Sequence, residues 1–83
     1  MHQLILKPKA KKELNKLSEQ DYLRIIAAFN ELVSNPHAGK KLQGKYKGEW
    51  SFRVWPFRIV YRIHKSELIV VVIRIAHRQG VYK

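Results

Sequence analysis

Trp50-Ser51-Phe52-Arg53-Val54-Trp55-Pro56-Phe57-Arg58-Ile59-Val60-Tyr61-Arg62-Ile63 (WSFRVWPFRIVYRI, residues 50–63) reads as two adjacent strands joined by a tight connection at Trp55-Pro56. Apolar and polar positions alternate, the pattern of a sheet with one buried face. Trp50, Phe52 and Val54 share one parity, and Phe57, Ile59, Tyr61 and Ile63 continue it on the second strand. The opposite parity collects Ser51, Arg53, Arg58 and Arg62 on an open face. Guanidinium groups side by side repel one another, so a face that gathers them calls for an anion.

Working outward, residues 68–75 (LIVVVIRI) are a β-branched run, the signature of a central strand, reached through a polar turn at His64-Lys65-Ser66-Glu67. Parity assigns Ile69, Val71, Ile73 and Ile75 to the core and puts Val70, Val72, Arg74, Ala76 and Arg78 on the open face, while His77 has core-side parity and reads as structural. Upstream, residues 2–7 (HQLILK) read as a first strand. Pro8 suits the first turn of a helix, where its missing N–H would be unbonded anyway. Residues 9–17 form a short helix with Ala10, Leu14 and Leu17 on one face. Ser18, with Asp21 three positions on, caps a second helix over 19–33, whose apolar stripe is Tyr22, Ile25, Ile26, Phe29, Leu32 and Val33.

Ser34-Asn35-Pro36-His37-Ala38-Gly39 stops that helix. Residues 40–49 read as a basic, irregular segment with Leu42 tucked into the core. Its Lys40, Lys41, Lys45 and Lys47 either ring a binding cleft or are solvated loop charges. Trp50 and Tyr61 are expected in the core and Trp55 in solvent. The fold class is α+β: two N-terminal helices on one face of a small, mainly antiparallel sheet, in the order β-α-α-β-β-β, within one domain spanning 1–83.

Composition narrows the function. An 83-residue chain is near the size at which one core just suffices. It has no cysteine, hence no disulfide or thiolate metal site. His2, His37, His64 and His77 show no paired ligand spacing, so no metal or cofactor is expected. No apolar run is long enough for a membrane span and no signal-peptide core opens the chain, which makes a soluble cytoplasmic protein the expectation. The net charge is +11. Residues 1–38 carry 6 Lys/Arg against 4 Asp/Glu, and residues 39–83 carry 11 against 2, so the excess lies on and around the strands. Nucleic acid is the commonest partner of such a surface.

Arg53, Arg58, Arg74 and Arg78 are placed by parity to converge on the open face, with Tyr82 trailing from the last strand. Guanidinium groups grip phosphate bidentately and stabilise charge that develops in a transition state, while a tyrosine can hydrogen-bond, stack or transfer a proton. RNA brings its own nucleophile, the 2′-hydroxyl, so this set suits phosphodiester cleavage without a metal.

At these residues the chain resembles the RelE/ParE superfamily of bacterial and archaeal toxins, and within it the RelE-type branch. The resemblance covers nearly the whole chain. It is carried by Lys9-Ala10-Lys11-Lys12-Glu13-Leu14, Leu42, Trp50-Ser51-Phe52-Arg53-Val54, Phe57-Arg58-Ile59-Val60-Tyr61, Ala76-His77-Arg78 and Val81-Tyr82. It implies a microbial-ribonuclease-like fold and a toxin that enters the ribosomal A site and cleaves mRNA there by 2′-hydroxyl attack on the adjacent phosphate. It also implies a cognate antitoxin in a toxin–antitoxin hetero-oligomer. By position, Arg58 and Arg78 resemble the phosphate-binding and transition-state-stabilising arginines, and Tyr82 the C-terminal tyrosine that stacks on the base and assists proton transfer. Arg53 joins the catalytic set; Lys45, Lys47, Ser51, Arg62 and Arg74 are the candidate substrate-binding residues.

Two departures stand out. Many RelE members carry two lysines on the first central strand, one proposed as general base, where this chain has Ser51 and Arg53. Lys45, Lys47, Glu49 and His77 are the alternatives for the base. Many relatives also continue past the tyrosine into a helix, whereas only Lys83 follows here, which would leave Tyr82 mobile until substrate binds. Two other functions compete with the nuclease: a ParE-like inhibitor of DNA gyrase, and a catalytically idle RNA- or antitoxin-binding relative.

Overall fold

A computed structural model describes residues 2–78. Strand β1 (Gln3–Leu6) leads into helix α1 (Pro8–Asn15) and helix α2 (Glu19–Ser34). Strands β2 (Lys40–Lys41), β3 (Trp50–Val54), β4 (Phe57–His64) and β5 (Ile69–His77) follow. Together they build a five-stranded mixed sheet in the order β1-β5-β4-β3-β2. Among the described strands only β1 pairs in parallel, lying beside β5 with Gln3 opposite Ile69 and Leu6 opposite Val72. The expected β-α-α-β-β-β order and fold class hold. The basic segment 40–49 is less irregular than its sequence suggests, since Lys40 and Lys41 pair with Ser51 and Trp50.

The helices follow from their sequences. Pro8 opens α1, and the Ser18 hydroxyl accepts from Asp21 N–H at 3.2 Å to cap α2. Ala10 and Leu14 of α1 join Ile25, Ala28, Phe29 and Leu32 of α2 over Ile59, Tyr61, Val70, Val72 and Ile75 of the sheet. Each large side chain buried this fully is worth about 1.5–3 kcal/mol, so this layer is the main stabilising element. Tyr22, expected in the stripe, is exposed, and Ala28 is buried beside Ile25, Phe29 and Leu32.

One expectation about β5 is overturned. Val70 and Val72 face the helices, and Val71 and Ile73 lie on the other side with Lys7, Arg62 and His64. The cause is a bulge: Tyr61 pairs with Val72 but Val60 pairs with Arg74, leaving Ile73 as an extra residue. The parity of β5 flips there, so Ile75 is in the core as expected while Ile69, Val71 and Ile73 are not. Leu42 is tucked in as expected, on a smaller apolar cluster with Val60 and Ala76 on the side of the sheet away from the helices.

Tyr61 anchors the loop after α2. It is fully buried; its hydroxyl donates to the Pro36 carbonyl at 2.7 Å and accepts from Gly39 N–H at 3.1 Å. Burial raises its pKa above the ordinary tyrosine value, a shift that the Gly39 hydrogen bond partly opposes. Gly39 has to be glycine, because a Cβ there would collide with the Tyr61 hydroxyl and lie 2.8 Å from the Ser51 carbonyl. This packing fixes the chain that leads into β2, and so fixes Lys40.

Candidate functional site

On the open face the ladders convert sequence into rows. Arg53 stands directly opposite Arg58, and Arg58 opposite Ala76. The next row places Lys40 opposite Ser51, and Ser51 opposite Val60. Paired residues share a face, so Lys40, Ser51, Arg53 and Arg58 come together. With Gly39 they line a cleft of about 370 Å³. Ser51 is 4 % exposed, and its hydroxyl has no hydrogen-bond partner among the described residues. It forms the floor of the cleft beneath long cationic side chains.

Arg78 lies just beyond β5. Its N–H donates to the Pro56 carbonyl at 2.8 Å, which ties it to the β3–β4 connection. Its guanidinium carbon stands 4.9 Å from the centre of the Trp55 ring. The sequence-predicted arginines 53, 58 and 78 therefore gather at one end of the sheet. Tyr82 lies outside the described residues.

The remaining predicted residues are placed elsewhere. Arg74 reaches round the sheet edge to Glu13 of α1, with Nη2 donating to Oε2 at 2.7 Å, while Glu13 Oε1 accepts Ile75 N–H at 2.9 Å. Arg62 is ion-paired with Glu49 at 3.2 Å. Lys47 and Glu49 line a separate cleft of about 510 Å³ beneath the loop before β3. Lys45 lies 5.3 Å over the ring of Tyr46. His77 meets Phe57 edge-on at 5.8 Å. None of the four alternatives for a general base lines the cleft of Arg53 and Arg58, whereas Lys40 does. Lys40 supplies an ammonium beside the position where β3 has serine. Its tie to this row rests on the two-residue strand β2, which is too short to leave a periodic signal. The Glu13 tether was also missed; its only trace in the sequence is a lone acid in a lysine-rich helix.

Electrostatically the arrangement is an anion site. Three arginines and a lysine crowd a shallow, half-open surface, and the carboxylates Glu13 and Glu49 are each engaged with another arginine. It can bind a phosphodiester through several oxygens and stabilise added negative charge on phosphorus.

Residues 4–82 match the family model for the ParE toxin of the type II toxin–antitoxin system parDE. The chain belongs to the RelE/ParE superfamily of type II toxins. Toxin RelG of Mycobacterium tuberculosis is 32 % identical over 76 residues, covering 89 % of this chain and 87 % of that protein. The toxin–antitoxin complex RelBE2 of the same organism contains a chain of the same fold, with a TM-score of 0.86 and 29 % identity over 93 % of this chain and 98 % of that one. The intact E. coli RelBE toxin–antitoxin complex matches with a TM-score of 0.82 and 21 % identity, covering 93 % and 96 %. The superfamily resemblance read from Arg58-Ile59-Val60-Tyr61 and His77-Arg78 is thus borne out, and the protein is a RelE/ParE-type toxin. Among the described residues no helix is long and apolar enough to cross a membrane.

Proposed function

We propose that this toxin is a cytoplasmic, ribosome-dependent endoribonuclease that cleaves mRNA in the A site, formed as one domain over residues 1–83. The single observation that carries the reading is the cross-strand pair Arg53–Arg58 on the open face, with Arg78 at the same end of the sheet. In this mechanism Arg58 and Arg78 hold the non-bridging oxygens of the scissile phosphate. Arg53 and Lys40 neutralise the adjoining backbone. The ribose 2′-oxygen attacks phosphorus as its proton passes to solvent water, the bond to the 5′-oxygen breaks, and that oxygen takes up a proton in a transfer assisted by Tyr82. The products are a 2′,3′-cyclic phosphate and a 5′-hydroxyl. The cationic set serves by stabilising charge on the pentavalent phosphorus, and the ribosome would serve by holding the 2′-oxygen in line. Tyr82 is assigned the base-stacking and proton-transfer role of the family's terminal tyrosine. Arg62, Arg74, Lys45 and Lys47 are assigned to longer-range attraction of RNA rather than to the phosphate that reacts.

A cognate antitoxin is the expected partner, in a hetero-oligomer, since the structural relatives named above are toxin–antitoxin complexes. A strongly cationic toxin suits an acidic antitoxin segment that competes with RNA.

The family model's ParE description favours one second reading, a gyrase inhibitor that cuts nothing. Mapping mRNA 5′ ends on translating ribosomes, with and without the purified toxin, separates the two. Cuts within the A-site codon that require both toxin and ribosomes support the nuclease. Intact mRNA together with loss of gyrase supercoiling would replace it with the ParE reading.

A further inference from the structure

Trp55 is an expensive residue to leave in water. It is 54 % exposed, at the tip of the β3–β4 connection. The connection is held in place rather than loose: Arg24 of α2 donates to the Trp55 carbonyl at 2.7 Å, and Arg78 N–H bonds the Pro56 carbonyl beside it. A large aromatic surface is therefore presented on a fixed mount. Arg78 lies over the ring, and the groove of about 460 Å³ that Trp55 borders is lined by Arg24, Arg53 and one acid, Glu31, with apolar residues of α2 and β3 between them.

Arg53 also lines the phosphate cleft with Lys40, Ser51 and Arg58. Phe52 and Arg53 border both depressions. A two-residue step along a strand is about 7 Å, so a nucleotide whose phosphate rests on Arg53 carries its base within reach of the indole. Single-stranded nucleic acid is bound by this combination, a cationic track with an aromatic ring beside it, because every base has a stackable face. A folded duplex would offer no free base, and a merely acidic peptide would have no use for the ring.

We infer that Trp55 is a stacking platform for an unpaired base of single-stranded RNA, with Arg53 and Arg78 holding the flanking phosphates. The inference deepens the RNA reading above by naming a base-binding subsite, and it rests on that reading for the kind of nucleic acid.

The test uses binding, not cleavage. The full-length toxin and its Trp55→Leu and Trp55→Phe variants are titrated against a labelled 2′-O-methyl RNA oligomer, which cannot be cut by 2′-oxygen attack. An abasic phosphodiester of equal length is the control. Trp55→Leu is expected to weaken the base-bearing oligomer by about 5- to 100-fold. Trp55→Phe should stay within about threefold of wild type, and all three proteins should bind the abasic chain alike. Quenching of tryptophan fluorescence by the base-bearing oligomer should vanish in Trp55→Phe, which retains Trp50. Equal affinity of Trp55→Leu and wild type for the base-bearing oligomer would overturn the proposal. So would an equal loss on the abasic chain, which would mean that Trp55 acts by positioning Arg78, and so would absence of oligomer binding by wild type. Because no ribosome is present, failure here leaves A-site cleavage standing, and failure of A-site cleavage leaves this result standing.

Discussion

Arg53 and Arg58 are direct partners across the β3–β4 ladder, so two guanidinium groups share one row of the open face. Like charges directly opposite destabilise a sheet, by a few tenths to about 1 kcal/mol. The fold therefore carries a stability penalty at the place where an anion would relieve it. Arg53→Gln should leave the protein as stable or more stable, by at most about 1 kcal/mol after solvent screening, in urea denaturation. It should at the same time weaken RNA binding. Sulfate should raise the melting temperature of wild type more than that of Arg53→Gln at matched ionic strength. Equal sulfate responses would separate the pair from anion binding.

Removing the Tyr61 hydroxyl should cost stability and loosen the chain that places Lys40 on the open face. Tyr61→Phe leaves the Pro36 carbonyl and Gly39 N–H without their shared partner, at a cost of about 1–3 kcal/mol. The pH dependence has a definite sign. The folded pKa lies above the unfolded value of 10.0, so the folded state holds its proton longer. The stabilisation this provides is complete below pH 10 and is lost as pH rises through the folded pKa. Wild type minus Tyr61→Phe isolates it from the titrating lysines: the stability difference should be flat below about pH 9.5 and shrink above it.

Gly39→Ala should be more damaging than its size suggests. The added Cβ meets the Tyr61 hydroxyl and the Ser51 carbonyl, one of them immobile backbone. A loss of about 1–3 kcal/mol is expected by chemical denaturation, and combining it with Tyr61→Phe should recover part of it, since the obstructing oxygen is gone.

Glu13 joins α1 to the end of β5 beyond the reach of β1, through Arg74 and through Ile75 N–H. Glu13→Ala should cost about 1.5–3 kcal/mol, and Glu13→Gln, which keeps an acceptor for Ile75, should cost less. A double-mutant cycle between Glu13 and Arg74 should give a coupling near 1 kcal/mol; a coupling of zero would reduce the contact to a surface ion pair.

Much of this was readable from the chain because the physics was local. Alternation over residues 50–63 set β3, β4 and the arginine row, and Pro8 and Ser18 marked the helix starts. The register of β5 was not readable. A run of five branched aliphatics, residues 69–73, has no polar residue to reveal its parity, and a one-residue bulge reverses it. The site was legible in part for a related reason. Parity finds the face of Arg74 and Arg62, but not that Glu13 and Glu49, distant in sequence, engage them. Lys40 acquires its place only through the Pro36–Gly39–Tyr61 packing, which no periodicity announces.

The most direct measurement is the single-turnover rate of A-site mRNA cleavage on a programmed ribosome by wild type and by Arg58→Ala, with folding of the variant verified by its denaturation curve. A cationic group that stabilises charge in the transition state should, on removal, slow cleavage by about 100- to 1,000-fold while the fold is kept. A folded Arg58→Ala protein that cleaves within about threefold of the wild-type rate would contradict the placing of the chemistry at the Arg53–Arg58 row.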